Sequence, residues 1–266
     1  MQGFVIFGQM SNLRITLVQT ALHWENIPAN LSMFDKKLRD LENTTDLVIL
    51  PEMFSTGFSM RPEKLAEPPL GATAQWMAEK ARELQAVITG SIIVRDQDRY
   101  FNRLIWMLPD GSFETYDKKH LFGLGEETSH YTAGNKKLIT ELKGWKICPM
   151  ICYDLRFPTW CRNIENYDLY INIANWPEKR AQHWITLSRA RAIENLCYVA
   201  ALNRVGEDGN GFPHSGDSQI IDPAGNILYH KAGEEDVFTI ALEREAITKA
   251  RRMFPFLRDM DRFELK

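Results

Sequence analysis

The chain has 266 residues, 44% hydrophobic and 25% charged, a balance that excludes a disordered, collagenous or low-complexity protein and suits one large domain. Its 32 Lys and Arg against 35 Asp and Glu leave a formal charge of −3, so no global basic field exists to hold nucleic acid or anionic lipid. A small molecule and a second copy of the chain are the expected partners.

No stretch reaches the roughly 18 apolar residues of a membrane span. Cys148, Cys152, Cys161 and Cys197 form no C-x-x-C pair, which argues against structural zinc and disulfides and for a cytoplasmic protein. The opening MQGFVIFGQM lacks a basic n-region and a small-residue cleavage site, and residues 1–10 read as an N-terminal extension to a single domain over 11–266.

Residues 14–19 (RITLVQ) and 46–50 (DLVIL) are runs rich in β-branched residues, and between them Leu31, Phe34, Leu38 and Leu41 fall at helical spacing over 28–41. A second helix is predicted over 72–84 and an apolar strand over 86–94; this β-α-β-α-β order points to a layered α/β fold. Strands at 103–108 and 112–116 follow, turned at Pro109-Asp110-Gly111. The second half repeats the grammar in a weak two-fold echo: strand 145–151, a short helix near Pro158, strand 168–174, helix 178–195 and strand 198–203. Residues 207–216 (EDGNGFPHSG) read as a glycine-rich turn facing the site or an interface, before a hairpin of 218–221 and 226–230. The closing RRMFPFLRD reads as an exchanged arm, because two Phe flanking a Pro have no evident strand or helix of their own.

The stretch 147–158, ICPMICYDLRFP, is an apolar strand that ends on Cys152 and turns into a proline-started helix. A thiol at such an elbow lies at the C-terminal edge of a sheet, where the following backbone N–H groups lower its pKa and stabilise an oxyanion; otherwise it is a small buried hydrophobe. Glu52 ends the DLVIL strand, where a carboxylate is costly to bury unless it has a partner or a chemical role, the alternative being a surface residue opening a loop. Lys118, in YDKKHLF, is in isolation half of a solvated Lys-Lys pair. Together the three supply a thiol nucleophile with its base, a cation for the oxyanion and an acid for departing ammonia.

Through PEMFSTGF (51–58), YDKKHLF (116–122) and ICYDLRFP (151–158), in matching order and spacing, the sequence resembles the nitrilase superfamily of carbon-nitrogen hydrolases from about residue 13 onward. The resemblance implies a four-layer α-β-β-α sandwich, assembled as a homodimer or higher oligomer, with a Glu-Lys-Cys triad on Glu52, Lys118 and Cys152. Lys118, two residues before His120, inherits the lysine role rather than Lys119. A second glutamate, seven residues before a glycine, falls on Glu127 before Gly134, with Glu126 adjacent. The implied mechanism forms a thioester on Cys152, with Glu52 as the base, Lys118 and the Tyr153 backbone N–H receiving the oxyanion and Glu127 as a further catalytic residue that helps position substrate or shape the base, and requires no metal or organic cofactor. An activated thiolate of this kind is expected to react with iodoacetamide well below the pH of an ordinary thiol.

Within the superfamily, NWPEKRAQHW (175–184), ARAIEN (190–195) and NRVGEDGNG (203–211) are most similar to the omega-amidase branch, whose members hydrolyse 2-oxoglutaramate and 2-oxosuccinamate. Such a substrate needs a cation for its far carboxylate, and Arg156 and Arg180 are the candidates, with a structural ion pair to Asp154, Glu178 or Glu194 as the alternative. Phe58, Phe122, Tyr131 and Trp176 are candidate pocket walls that could equally be core. True nitrilase, aliphatic amidase, N-carbamoyl hydrolase and acyl transferase activities share the triad, and a catalytically idle interaction protein shares the fold. His120 with His130 and Cys152 with His214 match no metal-ligand or protease spacing, and His120 and His130 are expected to support the Lys118 loop by hydrogen bonds.

Overall fold

The computed structural model describes residues 12–261, 263 and 264, so the expected extension, residues 1–10, lies outside the described residues. In the first sheet β1 (Leu13–Gln19), β2 (Leu47–Ile49) and β3 (Val87–Asp96) run parallel, and β4 (Arg99–Met107) and β5 (Phe113–Asp117) extend it antiparallel. Side chains alternate across β2: Leu47 and Ile49 enter the core between the two sheets, while Val48 lies under the outer helices. Those helices are α1 (Ile27–Leu38) and, after the short α2 (Pro62–Leu65), α3 (Ala72–Leu84), which bury Phe34, Leu38, Trp76 and Met77. The Asn26 side chain caps α1 by accepting from Ala29 N at 3.1 Å, and Gln85, at φ 52°, ends α3 in the left-handed region.

After α4 (Glu127–His130) the second sheet takes β6 (Thr140–Leu142) and β7 (Trp145–Ile151). Beyond α5 (Pro158–Cys161) come β8 (Leu169–Ala174), the helix α6 (Ala181–Asn195) and β9 (Tyr198–Asn203). The sheet is completed by β10 (Val205–Glu207), β11 (Pro213–Ile221) and β12 (Ile227–Ala232), with β7, β8 and β9 parallel and α6 lying over β9 and β11. Chain then returns to the first sheet as β13 (Asp236–Leu242), antiparallel to β1, and ends in α7 (Arg244–Met253). Two sheets face to face with helices outside make the α-β-β-α sandwich.

Several sequence expectations are corrected. The strand expected at 103 begins at Arg99, because Gln97 at φ 56° closes a tight turn that pairs Asp96 with Arg99. The glycine-rich turn is shorter than 207–216: Glu207 pairs with Pro213, leaving the tip at Asp208 to Phe212. RRMFPFLRD is not an arm throughout, since Arg251 to Met253 finish α7 and Arg251 binds Asp168 at 3.0 Å and the Tyr167 carbonyl at 2.6 Å. Phe256 to Asp259 form a 3-10 turn.

Three features aim the site. The β2–α2 loop carrying Glu52 is held on β3, where Met53 N donates to Ser91 Oγ at 2.8 Å and Phe54 N to Ser91 O at 3.1 Å. Gly90 permits this approach, since a Cβ there would lie 2.8 Å from the Phe54 ring and 2.9 Å from Leu50 Cβ. Asn30 ties α1 to the same loop by donating to Ser55 O at 2.8 Å. Near β5, Gly134 N donates to Lys118 O at 2.9 Å, and a Cβ at Gly134 would lie 2.1 Å from Asp117 O.

Candidate active site

Glu52, Lys118, Glu127 and Cys152 meet at the C-terminal ends of β2 and β7, the edge where open α/β sheets place their chemistry. Lys118 is completely buried and its Nζ lies 2.8 Å from Glu52 Oε1 and 3.0 and 2.9 Å from the two oxygens of Glu127. Its neighbour Lys119 points elsewhere, over the Trp160 ring at 5.6 Å. Glu127 is equally buried and also accepts from Phe122 N at 2.6 Å, whereas Glu126 is exposed.

The Cys152 thiol lies beside the Glu52 carboxylate, whose charge acts on it more strongly than that of any other carboxylate. Cys152 occupies φ 45°, the left-handed region that a side-chain-bearing residue enters at a cost of about 1–3 kcal/mol, and this turns its sulfur out of β7. From there Cys152–Arg156 wind into a 3-10 turn, in whose first residues the N–H of Tyr153 has no intrahelical acceptor.

Electrostatics follow from burial. Desolvation alone would lower Lys118, but the charges of Glu127 and Glu52 outweigh it and hold the ammonium above its ordinary value. Glu127 is raised by burial and by Glu52, against the pull of Lys118. Cys152 is raised well above the ordinary thiol range, first by burial and then by Glu52. The resting group is therefore a neutral thiol beside a carboxylate. This reverses the low thiol pKa expected from the N–H groups of the elbow: two buried carboxylates and desolvation outweigh Lys118 and the turn.

A family model for carbon-nitrogen hydrolases matches residues 14–252. The chain belongs to the carbon-nitrogen hydrolase family. It is 43% identical over 262 residues to omega-amidase YafV of Escherichia coli (strain K12), covering 96% of this chain and 100% of that protein. It is 32% identical over 220 residues to 2-oxoglutaramate amidase of Bacillus subtilis (strain 168), covering 81% and 85%. A CN-hydrolase superfamily protein from Xanthomonas campestris, solved with an arsenic adduct in its active site, superposes with a TM-score of 0.95 at 45% identity over 97% of this chain and 100% of that one.

The sequence reading of this carbon-nitrogen hydrolase missed three asparagines that frame the acids. Asn102, on β4, spends its amide on both carboxylates, donating to Glu52 Oε1 at 2.8 Å and Glu127 Oε1 at 3.2 Å. Asn175, at the end of β8, donates its backbone N–H to Glu52 Oε2 at 2.8 Å and its side chain to Glu52 O at 2.6 Å. Asn203, at the end of β9, accepts from Trp176 N at 2.8 Å and fixes the loop that follows Asn175.

Arg156 and Arg180 lie near each other, and Arg156 near Cys152. The Arg156 guanidinium sits 4.7 Å from the Trp176 ring and Arg180 5.2 Å from Phe122. Neither has a carboxylate partner among the described residues; Glu194 pairs with Arg191 at 2.7 Å, and Arg156 contacts His183 Nδ1 at 3.1 Å. Phe58 lies 5.1 Å from Lys118 Nζ. Phe122 meets the Tyr153 ring edge-on at 5.1 Å, which joins the wall to the elbow. Tyr131 is buried, donates to Ser59 O at 2.5 Å and backs Phe58 from a small cluster with Met53 and Ile93.

Among the expected histidine supports, His120 binds Asp154 through both its backbone N, at 2.9 Å, and Nδ1, at 2.8 Å. His130 is half-buried and its ring makes no hydrogen bond among the described residues, which corrects its expected support of the Lys118 loop. His214 binds Phe212 O at 2.9 Å in the β10–β11 hairpin, apart from the cluster of Glu52, Lys118, Glu127 and Cys152.

Proposed function

We propose that the chain hydrolyses the terminal amide of small 2-oxo dicarboxylic acid monoamides, such as 2-oxoglutaramate and 2-oxosuccinamate, to the 2-oxo acid and ammonia. The observation that carries the substrate half is the pair Arg156 and Arg180, without carboxylate partners among the described residues and set against the faces of Trp176 and Phe122. Two guanidinium groups beside a thiol ask for a planar anion on the substrate, which a distal carboxylate supplies. The names of the Escherichia coli and Bacillus subtilis relatives support the same class.

Chemistry would run through Glu52. As the Cys152 sulfur bonds to the amide carbon, its proton passes to Glu52, and Lys118 with the Tyr153 N–H receives the charge that develops on oxygen. Glu52 then returns the proton to nitrogen, the C–N bond breaks and ammonia leaves. Water next gives a proton to Glu52 and adds to the thioester carbonyl; the C–S bond breaks and Glu52 reprotonates sulfur as the acid departs. Glu127 never needs to touch the substrate, because its place is to hold Lys118 and Asn102 in position.

Residues 11–266 would act as one catalytic unit in the cytoplasm, a compartment that suits its free, buried cysteines. A homodimer or higher oligomer fits the exposed Met253, Phe254 and Phe256 at the end of α7.

The test is ammonia release from 2-oxoglutaramate, 2-oxosuccinamate, glutamine, an aliphatic nitrile and an N-carbamoyl amino acid, by the parent and by Cys152→Ala. Release confined to the 2-oxo amides and lost in the variant is expected. Release from another compound alone overturns the substrate, and undiminished release by Cys152→Ala overturns the nucleophile.

A further inference from the structure

Asp154 stands two residues beyond Cys152, completely buried, and takes no part in the chemistry proposed above. Four donors fill its carboxylate. Oδ1 accepts from His120 N at 2.9 Å and His120 Nδ1 at 2.8 Å, and Oδ2 accepts from Tyr116 OH at 2.8 Å and Ile151 N at 3.2 Å. These donors come from two separate segments. Ile151 precedes the nucleophile at the strained elbow, while Tyr116 and His120 bracket Lys118.

The bracket is closed by a second tier. Tyr116 OH itself accepts from Lys119 N at 3.3 Å and from Trp160 Nε1 at 3.1 Å, so the residues on both sides of Lys118 are referred to one carboxylate. The His120 ring is further pinned by stacking on Phe157 at 3.7 Å. A carboxylate with all four acceptor positions filled has one orientation, and it resists sliding of one segment past the other.

We infer that Asp154 is a positioning residue that fixes the Lys118 loop against the Cys152 elbow, and thereby fixes the two halves of the oxyanion site, the Lys118 ammonium and the Tyr153 N–H, relative to each other. An oxyanion has to find both donors at hydrogen-bond distance at once. The two donors come from opposite sheets, β5 leading to Lys118 and β7 to Tyr153, so neither strand alone can set their separation. The clamp also compensates for the positive φ of Cys152, because Ile151 N is bonded back across the turn.

An asparagine here breaks one part of the clamp selectively. Its oxygen can keep both His120 donors, but the new amide N–H groups must face Ile151 N–H and a Tyr116 oxygen that already accepts from Lys119 N and Trp160 Nε1. The proposal rests on Cys152 acting as an amide-hydrolysing nucleophile, and the test separates the two readings.

With Asp154→Asn on the amide that the parent hydrolyses, kcat should fall about 100-fold, as for loss of one oxyanion donor, while KM stays within about 3-fold. Alkylation of Cys152 by iodoacetamide should stay within about 3-fold of the parent, since displacement of iodide creates no oxyanion. Tyr116→Phe, which removes one donor to the carboxylate together with the acceptor of Lys119 N and Trp160 Nε1 and leaves the carboxylate itself, should lower kcat about 10-fold at unchanged KM, and it decides the matter where Asp154→Asn does not fold. Parental kcat in these variants, or alkylation falling in step with kcat, overturns the clamp alone. A parent that releases ammonia from no amide overturns both readings.

Discussion

Replacing Lys118 by methionine tests the buried charge cluster most directly. Lys118 Nζ lies 2.8 Å from Glu52 and 2.9 Å from Glu127, and all three side chains are fully buried. Methionine fills the volume of the aliphatic stem but leaves two carboxylates facing each other. At about 5 Å and an effective dielectric of about 20, their repulsion is about 3 kcal/mol. That agrees with the roughly 3–5 kcal/mol lost when one partner of a buried ion pair is removed. For a chain of this size the loss corresponds to a fall in Tm of about 10 °C at pH 7.5.

The pH dependence gives the sign. Burial and Glu52 already raise Glu127, and Lys118 is the group that opposes the rise. Without it the folded carboxyl lies still further above its unfolded value, so the folded state holds the extra proton and stability falls as pH rises. Lys118→Met should therefore regain Tm as pH is lowered from about 8 to about 5.5, with a steeper slope than the parent, and the double variant with Glu127→Gln should recover stability at pH 7.5. Activity should be lost at every pH. Scanning calorimetry across this range is the assay. A single variant melting within about 2 °C of the parent, with the parental slope, refutes the ion cluster.

Arg156→Ala and Arg180→Ala should each raise KM for 2-oxoglutaramate about 10-fold or more and leave a neutral aliphatic amide unaffected; equal effects on both amides would remove these arginines from carboxylate binding. Glutamine should be a poor substrate, because an ammonium group brings positive charge toward Arg156 and Arg180, and comparable kcat/KM on glutamine and 2-oxoglutaramate would contradict this. Burial and the Arg204 guanidinium push His214 down to about 4, so the unfolded chain protonates first as pH falls. The stability contributed by its neutral imidazole is complete above about 6.5 and lost toward about 4, up to roughly 3 kcal/mol, and His214→Gln should flatten Tm against pH over that interval.

Glu52, Lys118 and Cys152 were legible because each sits just past a strand, where a polar residue interrupts an apolar run and the chain must turn. Asn102 carried a weaker version of that signal. On β4 it shares the inward face with Leu104 and Trp106, so an amide in that alternation marks a buried polar partner. β13 was not legible, because it is an edge strand whose residues are mostly half-exposed and give no clean alternation. α7 was missed for a related reason: only Ile247 and Ala250 are buried, and its attachment is made by Arg244 and Arg251 on Asp168. The direction of the Cys152 shift needed tertiary information, since the carboxylates that raise it come from segments 100 and 25 residues away in the chain, Glu52 and Glu127.

That upward shift also divides the labour among the charged groups. Lys118 is held above its ordinary value by two carboxylates, so it keeps its proton at any working pH and can act only as a fixed charge. On the route proposed above, the proton that leaves sulfur and the proton that reaches departing ammonia then share one carrier, and the carboxylate whose charge bears most on the thiol is Glu52. A resting thiol kept neutral this way has a second consequence: deprotonation is tied to the arrival of an electrophile that consumes the electron pair. Cys152 should accordingly be less sensitive to peroxide than a free thiolate, with oxidation rising only as pH climbs above the ordinary thiol range. A rate of peroxide inactivation that already saturates near pH 7 would place a thiolate in the resting site and overturn this assignment of the proton.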